Sequence, residues 1–129
     1  MPHVGTLKYH IVWCTKYRRK VLTDIIQIRL KELITEKCKQ NNYPLIEVET
    51  MPEHIQVFVG GTSKDSVHRI VSQLKGYTSF KLKREFTELT TRLPNLWTRS
   101  YYADSIGNAT HEAIHKYIQN QKKQNSSQA

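Results

Sequence analysis

The side chains in this 129-residue chain best suited to phosphate chemistry fall in a short strand-like run and in the last helix-like run. The first run is His54-Ile55-Gln56, continuing through Val57, Phe58 and Val59. Side chains alternate along an extended strand, so His54 and Gln56 share one face, about 7 Å apart, while Ile55, Val57 and Val59 take the other. An imidazole nitrogen beside a carboxamide oxygen offers two neutral donors to a divalent cation. A strand histidine is also at home as a hydrogen-bonded structural residue, so the pair alone leaves both roles open. The second run contains Tyr117 and Gln121. Four residues apart on a helix, they project from one side a turn from each other, where a hydroxyl nucleophile and a metal ligand could share a site. The bland alternative packs Tyr117 against Ile114 and leaves Gln121 in water.

Charge supplies the substrate class. Twenty Lys and Arg against 11 Asp and Glu give a formal charge of +9 and a pI near 9.7. Nucleic acid is the commonest partner of such a surface, because each phosphate neutralised releases condensed counterions. The densest basic run holds Lys16, Arg18, Arg19 and Lys20, and a second holds Lys75, Lys81, Lys83 and Arg84; both suit phosphate contacts, and both would also suit solvated faces. Tyr17, Tyr77, Trp97, Tyr101 and Tyr102 offer rings for stacking on unpaired bases. No run approaches the roughly 18 apolar residues of a spanning helix, and the start has no apolar signal core, so a cytoplasmic protein without a membrane partner is expected. Cys14 and Cys38 form no CxxC pair and no zinc spacing and read as buried, reduced thiols.

The elements that position these groups follow from periodicity. Residues 7–15 alternate, with Leu7, Tyr9, Ile11 and Trp13 on one face and Lys8, His10, Val12 and Cys14 on the other. Thr23 can cap a helix whose Ile26, Leu30, Leu33, Ile34 and Cys38 recur at helical spacing, ending near Asn41 and Asn42. Residues 43–50 and 54–59 read as strands joined through Met51 and Pro52 as a hairpin. Ser63 is expected to open a second amphipathic helix carrying Val67, Ile70, Val71 and Leu74, which Gly76 bends or weakens. After a turn-rich section around Pro94, residues 96–102 are expected as the fourth strand, with Trp97, Arg99 and Tyr101 on one face, ended by Gly107 and Asn108. Thr110 caps a last helix to about Lys122, leaving residues 123–129 as a frayed polar tail on a single domain of residues 1–122. This order predicts an α+β fold: a ferredoxin-like antiparallel sheet with helices on one face and an extra C-terminal helix.

Taken together, residues 9–22, 51–59, 74–76, 96–101 and 117–121 resemble the short single-tyrosine transposases of the HUH superfamily, relatives of rolling-circle initiator and relaxase nucleases. The resemblance spans nearly the whole chain. It implies Tyr117 as the covalent nucleophile, with His54 as the first metal histidine and Gln121 as the third ligand. The family pattern is His-hydrophobic-His, whereas this chain has His54-Ile55-Gln56, so an amide replaces the second imidazole. An amide oxygen favours Mg²⁺ or Mn²⁺ over zinc. Also implied are single-stranded DNA hairpins at transposon ends as substrate, and a homodimer in which one subunit's tyrosine helix completes the other's site. The expected reaction is transesterification through a 5′-phosphotyrosine, without ATP; no GxxxxGK[ST] loop is present. A phenol ordinarily titrates near pH 10 and needs a metal or a base, but His10, His68, His111 and His115 are bases in name only at this stage. The rival readings are a non-catalytic single-strand-binding module and a transposase impaired by Gln56.

Overall fold

A computed structural model describes residues 7–62, 64–92, 95–106 and 111–127. Its strands are β1 (Lys8–Cys14), β2 (Leu45–Met51), β3 (His54–Gly60) and β4 (Tyr102–Ser105); its helices are α1 (Asp24–Asn41), α2 (Val67–Glu85), α3 (Glu88–Arg92) and α4 (His111–Ser127). The sheet is antiparallel in the order β2-β3-β1-β4, the arrangement of a ferredoxin-like sandwich.

Alternation along the central strands separates core from chemistry. Ile11, Trp13, Ile55, Val57 and Val59 are at most 1% exposed and meet Ile26, Leu30, Leu33, Ile34, Ile70, Val71 and Leu74 from α1 and α2. The opposite face therefore collects His10, His54, Gln56 and Phe58. α4 crosses part of that face, where Ile114 and Ile118 bury Phe58 together with Ile46 and Ile106. A bulge between Leu45 and Glu47 breaks the β2 register and lets Ile46 join this outer cluster.

Local signals account for most boundaries. Thr23 caps α1, its Oγ1 accepting from Ile26 N at 3.4 Å, and Asn42 ends it in the left-handed region at φ 58°. α2 starts later than expected: Ser66 accepts from Arg69 N at 3.1 Å, while Ser63 lies outside the described residues. α2 continues through Gly76, and a Cβ there would meet nothing within 4 Å. The fourth strand is displaced. Residues 96–98 make only a bridge, Thr15 opposite Trp97, with Lys16 N donating to Leu96 O at 2.8 Å and Thr98 N to Cys14 O at 3.0 Å. Regular pairing begins at Tyr102. Trp97 is buried and Arg99 exposed, so these two do not share an environment as alternation predicted. What draws Trp97 inward is a buried partner, Thr78 Oγ1, which accepts from its Nε1 at 3.0 Å, together with an edge-on contact to Trp13. α3 fills the turn-rich section; Pro94, Gly107, Asn108 and Thr110 lie outside the described residues. α4 runs past Lys122 to Ser127, through most of the expected tail.

Candidate active site

The structure ties Gln56 and Tyr117 to a residue that sequence reasoning left aside. His10 on β1 faces outward opposite Phe58, and its Nε2 lies 2.8 Å from Gln56 Oε1. An amide oxygen only accepts, so His10 Nε2 donates and the imidazole holds the orientation of the Gln56 amide. His10 stacks on Phe58 with centroids 4.4 Å apart and planes 4° from parallel, and meets the Tyr117 ring edge-on at 5.9 Å. Burial pushes the His10 pKa down, opposed by the hydrogen bond to Gln56 and the charge of Asp104. The signal was present in the alternation of residues 7–15. Only the cross-strand register, unavailable from sequence, puts His10 beside Gln56.

On α4, Tyr117 is 46% exposed, and its Oη accepts from Gln121 Nε2 at 2.8 Å, the same-side contact that four-residue spacing predicted. Tyr117 does not sink into the core. Ile114 and Ile118 do so instead, leaving the phenol on the rim of an open cleft of about 420 Å³. Gln121 Oε1 is buried with no hydrogen-bond partner. An orphaned buried acceptor costs about 1–3 kcal/mol unless something satisfies it.

His54 stands one same-face step along β3 from Gln56. Its Nδ1 is 2.9 Å from Glu53 Oε1, so the carboxylate takes the Nδ1 proton and the lone pair is left on Nε2, the arrangement that orients ligating histidines. Among the described residues no cluster of three His, Cys, Asp or Glu exists to hold a metal. The ligand set that the resemblance implies, His54 Nε2 with the amide oxygens of Gln56 and Gln121, has one nitrogen and two neutral oxygens and would fit a hard ion better than zinc. Gln56 Oε1 has a second lone pair for this while it accepts from His10.

The basic runs go to different places. Arg18 and Lys20 line the cleft that holds His54 and Glu53. Lys16 and Arg19 flank the exposed Tyr17 ring at 5.3 and 5.9 Å. Lys75 is turned inward, donating to Thr98 O at 2.6 Å and Ser100 O at 3.3 Å, and burial lowers its pKa. Lys81 lies over Tyr77 and Arg84 over Phe80, and Lys83 is in the last turn of α2; this helix packs on the face of the sheet opposite His10 and Gln56. Tyr102 is exposed beside Asp104, whose charge raises the phenol pKa. Of the other histidines, His68 contacts Tyr101 Oη at 3.2 Å and His115 faces Glu47, which places neither at Tyr117. Cys38 is buried as expected; Cys14, on the outer face, is only partly so.

Residues 3–121 match the family model described as "Transposase IS200 like". The chain is 31% identical over 121 residues to the ISDra2 transposase TnpA of Deinococcus radiodurans, covering 92% of this chain and 86% of that one. It is 32% identical over 116 residues to the transposase of insertion sequence IS200 from Salmonella typhimurium, covering 88% and 76%. A solved transposase structure from Deinococcus radiodurans R1 superposes with a TM-score of 0.75 at 32% identity, covering 94% and 95% of the two chains. A tyrosine transposase solved bound to a REP hairpin shares the fold, with a TM-score of 0.57 at 17% identity over 86% of this chain and 62% of that one. The chain belongs to the IS200-like transposase family. No helix among the described residues is long and apolar enough to cross a membrane.

Proposed function

We propose that this transposase cleaves and rejoins single-stranded DNA at the ends of its insertion sequence, with Tyr117 as nucleophile and Mg²⁺ or Mn²⁺ held by His54, Gln56 and Gln121. The observation that carries the reading is the chain of contacts from Gln56 through His10 to Tyr117 and on to Gln121, which ends on a buried amide oxygen lacking a partner. Tyr117 Oη attacks the scissile phosphorus in line. The bond from phosphorus to the 3′ oxygen breaks, the leaving oxygen becomes a 3′-hydroxyl with a proton that balances the one the Tyr117 phenol gives up, and the 5′ phosphate stays on the tyrosine. Attack by another 3′-hydroxyl reverses these bonds and frees Tyr117, so no external energy source is required. The cation, when bound, neutralises charge on the phosphate oxygens. Gln121 orients the tyrosine oxygen through its N–H, His10 fixes the Gln56 amide, Glu53 fixes the His54 tautomer, and Arg18 with Lys20 draws the backbone toward His54. The same reading includes hairpin-bearing ends, a homodimer and a cytoplasmic site of action. One observation favours a second, impaired reading: at position 56 an amide stands where the family pattern has the second imidazole.

The test is a denaturant-resistant protein–DNA adduct formed on single-stranded oligonucleotides from both flanks of the gene, with and without Mg²⁺ or Mn²⁺. A metal-dependent adduct lost in Tyr117→Phe is expected. Tight binding without an adduct under any metal would overturn the covalent mechanism and leave the impaired reading.

A further inference from the structure

The cleft on which Tyr117 stands is lined by His10, whose ring stacks on the buried Phe58, and by Tyr102 and Tyr117, whose rings stand at 75° and 78° to the His10 plane. Both phenols are about half exposed, 56% and 46%. Among the described residues, the charged group lining this cleft is Asp104. In a chain of formal charge +9, a carboxylate in the cleft that also holds Tyr117 is out of place as a contact for DNA phosphates, which it repels. It is in place as an acceptor for the edge of a base. Among the described residues it accepts one hydrogen bond, from Tyr102 Oη at 3.3 Å, of the roughly four a carboxylate can take.

We infer that this cleft receives the unpaired base of a nucleotide adjoining the cleaved phosphate, with Asp104 selecting a base that bears an amino group. The inference rests on the proposed role of Tyr117, because a phosphate in line with Oη brings its neighbouring base to the cleft wall. Aromatic rings stack on any base, so the cavity supplies affinity and Asp104 supplies discrimination. Guanine, cytosine and adenine present exocyclic N–H donors to a carboxylate. Thymine offers a single N–H between two carbonyl oxygens that the carboxylate repels, so it is the disfavoured base. His10 thus serves twice, holding Gln56 through Nε2 while its ring lines the cleft.

The test uses the whole protein in EDTA with single-stranded oligonucleotides from the element's ends, scanned with one abasic site at a time and then with each base at the sensitive position. Fluorescence anisotropy is the readout. A single position is expected where an abasic site weakens binding about tenfold and thymine several-fold. Asp104→Asn, whose amide both donates and accepts, is expected to level thymine with the other bases. Ala113→Trp, on the exposed rim of the cleft, is expected to make binding insensitive to the abasic site. A profile flat across the scan, or a sensitive position unchanged in Ala113→Trp, overturns the inference. The two readings fail separately. An adduct through Tyr117 with a flat profile removes the base site alone, whereas a sensitive position that Ala113→Trp abolishes, with no adduct under any metal, keeps the base site and removes the covalent mechanism.

Discussion

Replacing Gln56 by histidine restores the usual family pattern, yet in this chain binding a metal there should cost a hydrogen bond. Gln56 Oε1 accepts from His10 Nε2 at 2.8 Å and has a second lone pair to spare. A neutral imidazole has one lone pair. If His at position 56 offers it to His10, its other nitrogen carries a proton and cannot ligate; if it offers it to a metal, the half-buried His10 N–H goes unpaired. One such hydrogen bond is worth about 0.5–1.5 kcal/mol net. At roughly 3–5 °C per kcal/mol for a domain of this size, the bond given up when the variant takes a metal is worth about 2–7 °C, so Gln56→His should melt with wild type in EDTA and lose that much of its metal-bound gain. A metal at one hundred times its dissociation constant contributes about 2.7 kcal/mol, which more than offsets the loss. Thermal melts in EDTA, Mg²⁺, Mn²⁺ and Zn²⁺ should show the two proteins level without metal, the variant raised most by zinc and wild type by the hard cations. Equal zinc responses would refute the ligand role of Gln56, and a metal-free variant well below wild type would refute the lone-pair account of the His10 contact.

Thr78→Val strands the buried Trp97 N–H, now 3.0 Å from Thr78 Oγ1, and should cost about 1–3 kcal/mol in urea unfolding at unchanged m-value. Burial pushes the Cys38 thiol up to about 12, so iodoacetamide at pH 8 should label Cys14 in the native protein and reach Cys38 only on unfolding, as peptide mapping would show. Removing Arg18 and Lys20 together should lower the salt slope of single-strand binding by roughly 0.7 per lost phosphate contact, while Lys81→Ala with Arg84→Ala, on the helix layer, should leave it unchanged. Gly76→Ala should stabilise by roughly 0.5–1 kcal/mol in thermal melts, because α2 continues through Gly76 with open space for a methyl group.

Where a feature depends on neighbours in the chain, it could be read directly. The Thr23 cap, the Asn42 terminus, the β2–β3 hairpin and the shared side of Tyr117 and Gln121 all follow from spacings of a few residues. Features set by distant partners could not. Alternation gave residues 96–102 the look of a strand, but the Thr78 hydroxyl and the Trp13 ring claim Trp97, and pairing starts only at Tyr102. His10 looked like one more strand histidine because its partner, Gln56, lies 46 residues away. For Lys75 the charge is legible in the sequence, but not that the fold points its ammonium at the backbone carbonyls of residues 98 and 100.

Tyr17 and Arg18 take successive positive φ values, 58° and 52°, a conformation costing non-glycine residues about 1–2 kcal/mol each. The turn they make divides the basic run. Arg18 and Lys20 open toward the His54 cleft, and Lys16 toward a separate one shared with Lys75, Gly76 and Arg99. The Tyr17 ring at this turn is 69% exposed. For the single strand proposed above as substrate, following the charge from one cleft to the other would mean following this turn, a change of direction that a flexible strand makes within a nucleotide or two and a stiff duplex does not.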